Sequence, residues 1–224
     1  MKNLKNETPV QIIINGRAAM TIMTSAEDPT DLVVGQLYTE RVIETYADIS
    51  SVHIDGPQTS VVTANPFEIL LSRKTVLAGC GGASSFLDSG KLGDITSDLV
   101  VSEQQLSRST EYLPKTNWHS AALFTEDATL LTVAEDLTSQ NTADRIIGWG
   151  LAHNIDFSRT YLLFSGNIVA ETVRKTVIAN IPLVATAAEV TSAAVAAADN
   201  TGLALYRITG NTIVALGRIS RCTP

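Results

Sequence analysis

The chain has 224 residues, 45% hydrophobic and 17% charged, with a formal charge of −7. That composition suits an ordinary soluble globular protein of one large domain or two small ones, and its acidic balance excludes a broad nucleic-acid surface, which needs clustered Lys and Arg. No apolar run approaches the roughly 18 residues of a membrane span, and the polar opening MKNLKNETPV lacks a signal-peptide core, so a cytoplasmic protein without membrane or nucleic-acid partners is expected.

In chain order, VQIIING and AAMTIMTS read as two strands turning at Asn15-Gly16. After Pro29, Leu32, Val33, Leu37, Val42 and Ile43 are spaced as one helix face. SVVTA and FEILLS return to strand character. Residues 1–73 therefore read as a small N-terminal α+β subdomain, and 74–224 as an α/β layered domain in which strands alternate with helical patterns. HSAALF, ATLLTVAED, TYLLFSG, IPLVATAA, GLALYRIT and TIVALGR are its predicted strands. TADRIIGWGLAH and IVAETVRKTVIAN are predicted helices, the first capped by Asn141 or Ser139. Ser102 with Gln105, and Thr186 with Glu189, fit capping-box spacing and predict helix starts after both; Gly202 predicts a helix stop.

Three segments have the residue types for chemistry. In TVLAGCGGASS, Gly79, Gly81 and Gly82 let backbone amides approach Cys80. Such amides can lower a thiol pKa. An inert cysteine under a tight turn and a reactive thiol both remain open on residue types. TYLLFSGNIVAETVRK carries Ser165-Gly166 from a strand into a helix, where free amides favour an anion, or where the chain simply turns. AEDLTSQNTADRIIG ends a strand at Glu135 and Asp136 and contains Asn141 and Asp144, suited either to acid–base work and holding a ligand hydroxyl or to capping and solvation. His119 opens a strand, as a ligand-facing or a satisfied edge residue. The distant Cys80 and Cys222 form no disulfide framework and are expected to be reduced thiols. A zinc deaminase needs H-x-E and P-C-x-x-C elements, and neither occurs; no structural metal is expected. Walker A, G-x-G-x-x-G and G-x-S-x-G loops are also missing.

Taken in order, these segments resemble the formate dehydrogenase accessory family of the FdhD/NarQ type. VVGQLYTERVI is similar to the family's G-x-L-x-T-E-G-x-I, keeping Gly35, Leu37, Thr39, Glu40 and Ile43, with Arg41 in place of glycine. AGCGG falls at the family's C-G-x-C-G loop, with Ala83 at the second cysteine. WHSAALF matches G-x-H-x-A-A-L through His119, Ala121, Ala122 and Leu123. EDLTSQNTADRIIG resembles E-D-V-G-R-H-N-A-x-D-K-x-x-G, keeping Glu135, Asp136, Asn141, Asp144 and Gly148, while Thr138, Ser139 and Gln140 replace Gly-Arg-His. SGNIVAETVRK keeps Ser165, Gly166, Glu171 and Lys175 of S-G-R-x-S-x-E-x-x-x-K, with Asn167 and Val169 replacing Arg and Ser.

The resemblance implies a cytidine-deaminase-like three-layer α/β core with the smaller N-terminal unit, usually paired as a homodimer. It implies a sulfurtransferase in which a cysteine desulfurase passes sulfur to Cys80 as a persulfide. The persulfide then sulfurates a molybdenum or tungsten bis(molybdopterin guanine dinucleotide) cofactor, the bound substrate, which is delivered to formate dehydrogenase. Gly79, Gly81, His119, Glu135, Asp136, Asn141, Ser165 and Gly166 would line the cofactor site. With Ala83 in the loop, resolution of the persulfide as an internal Cys80 disulfide is excluded, and direct transfer from Cys80 remains open. The replaced Arg-His pair and Asn167 remove planar cations suited to phosphates. The alternative is a cofactor- or guanine-nucleotide-binding chaperone without sulfur transfer; a deaminase-like hydrolase is the weakest reading.

Overall fold

The computed structural model describes residues 6–65, 92–116, 118–210 and 212–223. Its N-terminal unit begins with the hairpin of β1 (Thr8–Ile14) and β2 (Arg17–Thr24). Asn15 and Gly16 both have positive φ, 50° and 78°, the backbone that a tight two-residue hairpin turn requires. β1 also pairs in parallel with β4 (Gln58–Thr63), which pairs antiparallel with β3 (Ile49–Asp55), giving the order β2-β1-β4-β3. Alternation along β1 turns Val10, Ile12 and Ile14 inward, where they meet Val33, Val34 and Leu37 of α1 (Thr30–Thr39).

That helix is shorter than its apolar spacing predicts. The chain leaves helical geometry after Thr39, and Arg41 takes a left-handed φ of 57°. Its turn is closed by the Val42 amide donating to the Leu37 carbonyl at 2.8 Å. Val42 and Ile43 remain buried in the same core, but from the turn after the helix. Periodicity recorded their burial and missed how the chain delivers them.

The larger sheet has the order β11-β10-β9-β8-β6-β7. β8 (Thr160–Phe164), β9 (Leu183–Thr186) and β10 (Ala204–Thr209) are parallel, whereas β6 (His119–Thr125) runs antiparallel to β8 and to β7 (Leu130–Asp136). β11 (Thr212–Ala215) adds an antiparallel edge. These strands match the expected ones. One face packs Leu123, Leu162, Phe164, Val184 and Leu205 against α3 (Ser139–Ala152), α4 (Ala170–Ile178) and α5 (Ser192–Thr201). The other packs Phe124, Tyr161, Leu163 and Tyr206 against Leu106 of α2 (Glu103–Ser109). Beside α2, β5 (Val101–Ser102) pairs with β12 (Cys222–Thr223). The described residues thus form a mixed α/β fold of three sheets and five α-helices.

Local signals account for several boundaries. Ser102 and Gln105 make the reciprocal capping box that opens α2, and Gly202 ends α5 at φ 75°. Thr186 does not start a helix: its hydroxyl donates to the Gly166 carbonyl at 2.8 Å, and α5 begins later, capped by Thr191. The cap of α3 is Thr138, whose hydroxyl accepts from the Asn141 amide at 3.1 Å, rather than Asn141 or Ser139. The FEILLS strand and the boundary at residue 73 lie outside the described residues.

The two sheets meet through helices. α1 crosses α3 so closely that a Cβ on Gly35 would lie 1.8 Å from the Asp144 carbonyl oxygen, and one on Gly148 would lie 1.9 Å from the Asp31 carbonyl oxygen. Backbone rests on backbone at this crossing, leaving no side-chain terminus to move aside.

Candidate functional site at the carboxyl edge of the large sheet

The C-terminal ends of β7 and β8 and the N-terminal end of β6 lie together, because β6 is antiparallel to both neighbours. This brings Glu135 and Asp136 next to Ser120 and His119, and places Ser165-Gly166 immediately after β8. Ser120 and Ser165 lock the edge reciprocally. The Ser165 amide donates to the Ser120 carbonyl, and the Ser120 amide donates to Ser165 Oγ, both at 2.9 Å. The Ser165 amide, expected to face an anion, is therefore engaged within the edge.

His119 lies directly over Gly166. A Cβ there would fall 1.9 Å from His119 Nδ1, so the glycine provides the space the imidazole occupies. Among the described residues, the buried Nδ1 has no hydrogen-bond partner, nor has the buried Ser120 Oγ. A buried polar atom without a partner is costly and uncommon, which makes this corner the part of the edge with unused hydrogen-bonding capacity.

Asp136 and Asn141 face the N-terminal unit. Asp136, fully buried, accepts from Thr24 Oγ1 at 2.5 Å, Asn141 Nδ2 at 3.0 Å, and the amides of Ser25 and Leu137 at 3.2 and 2.6 Å. Asn141 Nδ2 also donates to the Met23 carbonyl at 2.8 Å. Together they clamp the end of β2 onto the β7–α3 corner. Glu135 accepts from Thr116 Oγ1 at 2.8 Å, and its carbonyl accepts from Arg145 Nη1 at 2.5 Å.

The replaced positions are also engaged. Ser139 is buried with its hydroxyl 3.2 Å from Thr172 Oγ1, and Asn167 Oδ1 accepts the Glu189 amide at 3.2 Å. The remaining charged residues singled out in sequence lie at the α1–α3–α4 junction. Lys175 Nζ donates to both Asp144 carboxylate oxygens at 3.0 and 2.8 Å, to Thr39 Oγ1 at 3.1 Å and to Gln36 Oε1 at 3.0 Å. Arg174 Nη2 reaches Glu40 at 2.5 Å and Glu171 at 2.6 Å, while Nη1 donates to the Thr39 carbonyl at 2.7 Å. Burial works against the Arg174 charge, but Glu171, Glu40 and Asp144 outweigh it and hold the guanidinium above its ordinary value. Burial pushes the Asp144 carboxyl up, opposed by Lys175 and Thr39.

Sequence reasoning missed the clamp. Thr24 and Ser25 carry no motif, and their contacts to Asp136 span more than a hundred residues. The Thr138 cap had a signal, a threonine three residues before the amide it accepts. Gly79, Cys80 and Gly81 lie outside the described residues. Among the described residues, no group of three or more His, Cys, Asp or Glu is arranged to hold a metal, and no helix is long and apolar enough to cross a membrane.

With this geometry in hand, comparison with known proteins decides the family. A model of the FdhD/NarQ family matches residues 5–212. The chain belongs to the FdhD/NarQ family. A relative from Mycobacterium bovis named sulfur carrier protein FdhD is 27% identical, across 99% of this chain and 92% of its own length. Another of that name, from Streptomyces coelicolor, is 31% identical across 89% of this chain and 81% of its own. A solved structure from Desulfotalea psychrophila, described as a formate dehydrogenase accessory protein, superposes with a TM-score of 0.78 at 17% identity, covering 97% of this chain and 90% of that one. This last likeness speaks for the fold.

Proposed function

We propose that this chain is a sulfur carrier in the maturation of a formate dehydrogenase, and that Cys80 is the carrying residue. Relatives named sulfur carrier proteins align over nearly the whole chain. The observation that carries the residue assignment concerns the other thiol. Cys222 lies on β12, packed against the face of the sheet that holds Tyr161 and Tyr206, and burial together with Glu103 pushes its thiol up. A raised pKa suppresses the thiolate that attacks sulfur. Cys80, in its glycine-rich segment, is the remaining cysteine.

In this reading the Cys80 thiolate attacks the terminal sulfur of a cysteine desulfurase persulfide. The new S–S bond forms on Cys80 as the donor thiolate leaves. The bound substrate would be a molybdenum or tungsten bis(molybdopterin guanine dinucleotide) cofactor. The S–S bond on Cys80 would break, Cys80 would return to a thiol, and the reduced metal of that substrate would supply the two electrons that make the delivered sulfur a sulfido ligand, before formate dehydrogenase takes the cofactor. His119 would offer its unpartnered ring nitrogen to the substrate, and Gly166 would hold the ring in place. Ser165 and Glu135 would frame the corner, whereas Asp136 and Asn141 would act from behind by fixing the N-terminal unit. The sheet order and the antiparallel placement of β6 beside the parallel β8, β9 and β10 support a cytidine-deaminase-like core. A homodimer working in the cytoplasm completes the proposal.

The test is intact-protein and peptide mass spectrometry after incubation with a desulfurase and cysteine. A gain of about 32 Da on Cys80, retained in Cys222→Ser and lost in Cys80→Ser, is expected. Labelling of Cys222 alone, or of neither cysteine, would overturn the proposal. A second reading, a binding chaperone without transfer, is favoured by Ala83 where the family loop carries its second cysteine. It predicts that Cys80→Ser still matures the dehydrogenase.

A further inference from the structure

The loss of the motif cations raises a question that the fold answers on β10. Phe164 and Thr186 end the parallel strands β8 and β9, and Arg207, two residues before the end of β10, lies in register with them. Alternation puts all three on the face covered by α3, α4 and α5, since Leu162, Val184 and Leu205, two residues earlier in each strand, pack into that core. Arg207 is therefore on the ligand-facing edge of an open α/β sheet.

The polar groups between His119 and Arg207 are continuous. His119 rests on Gly166, the Gly166 carbonyl accepts from Thr186, and Asn167 accepts from the Glu189 amide. The loops after β8 and β9 are joined by backbone bonds between Ile168 and the Glu189–Thr191 segment at 3.0 and 3.1 Å. Glu189 is fixed by this joint, and its carboxylate meets Arg207 Nη2 at 2.5 Å. The Arg207 side chain keeps 37% exposure and Glu189 keeps 72%, so the pair stands at the surface of the edge rather than in the core. Among the described residues the buried Arg207 Nε has no partner and the guanidinium makes one carboxylate contact, through Nη2 to Glu189, which leaves it only partly satisfied. An exposed Arg–Glu pair contributes little to stability and separates at small cost. A phosphate, carrying more charge than a carboxylate, competes well for the guanidinium.

We infer that Arg207 is the phosphate-binding cation of this site, with Glu189 holding it as an exchangeable counter-ion in place of the cations missing at Ser139, Gln140 and Asn167. This rests on the proposed binding of a guanine-dinucleotide substrate. The pairing is a competition: a ligand phosphate and the Glu189 carboxylate seek the same guanidinium.

Calorimetric titration of the full chain with guanosine diphosphate, and with guanosine as the phosphate-free probe, tests the inference. Arg207→Gln should weaken diphosphate binding roughly ten-fold, with guanosine binding unchanged. Glu189→Gln should leave diphosphate binding as tight or tighten it, because the competitor is removed. Arg207→Lys should restore part of the loss through its charge. If the pair merely pins the loop, Arg207→Gln and Glu189→Gln weaken binding alike, and that result overturns the inference, as does an unchanged affinity in Arg207→Gln. If Arg207→Gln fails to fold, the sign of the Glu189→Gln effect decides. A wild-type chain that binds no guanosine diphosphate also rejects the inference. Persulfide loading of wild-type Cys80, measured separately, judges the sulfur-carrier reading.

Discussion

The α1–α3–α4 junction and the carboxyl edge of the large sheet use motif residues in opposite ways. At the junction, Gly35, Thr39, Glu40, Asp144, Gly148, Glu171 and Lys175 retain the family pattern and are bound up with one another or with backbone. At the edge the resemblance to the family pattern is broken at Ser139, Gln140, Asn167 and Val169, yet His119 Nδ1 and Ser120 Oγ have no partner among the described residues. Much of the motif that marks the family thus marks how two sheets are joined. The proposed chemistry would rest on fewer residues, at the edge where the motif is least well kept.

The difference can be broken at the junction first. Lys175→Met leaves the Asp144 carboxylate buried without its counter-charge and should cost about 3–5 kcal/mol, read from urea unfolding. Adding Asp144→Leu should recover much of that loss, since the charge that needs compensation is gone. Gly148→Ala forces a methyl against the Asp31 carbonyl and should cost about 1–3 kcal/mol.

At the edge the ranking of stability and function should reverse. Gly166→Ala meets the His119 ring, a side chain that can shift, where Gly148→Ala meets backbone. Its expected stability loss is about 1 kcal/mol or less, with a clear fall in dehydrogenase maturation. Equal stability losses for Gly148→Ala and Gly166→Ala would remove the distinction between the regions. The smallest effect is at Arg41, held at a φ of 57°. Arg41→Gly should relieve the left-handed strain and stabilise by about 0.5–1 kcal/mol, after allowing for the greater freedom of unfolded glycine. Thermal unfolding of the variant checks the sign.

Strands β8, β9 and β10 were legible because buried parallel strands are short apolar runs bounded by turn residues, and the Asn15-Gly16 hairpin because its backbone demands those residues. Cap identity was less legible. Thr138 and Asn141 are both good capping residues, and the local sequence does not state which one supplies the oxygen and which the amide. Thr186 had the capping spacing but gave its hydroxyl to Gly166 of the neighbouring loop, a partner twenty residues away.

The site divides in the same manner. The sequence by itself determined the residue types available for chemistry, the family to which their order points, and the loss of the motif cations. It did not determine which carboxylates face a ligand, because a carboxylate that clamps a distant hydroxyl reads the same as one that binds substrate. Only the tertiary structure turned Asp136 toward Thr24, closed Asp144 over Lys175, set His119 on Gly166 and aligned Arg207 with Phe164 across three strands. Those outcomes depend on strand register and helix crossing, which are set by long-range packing that no local window of sequence contains.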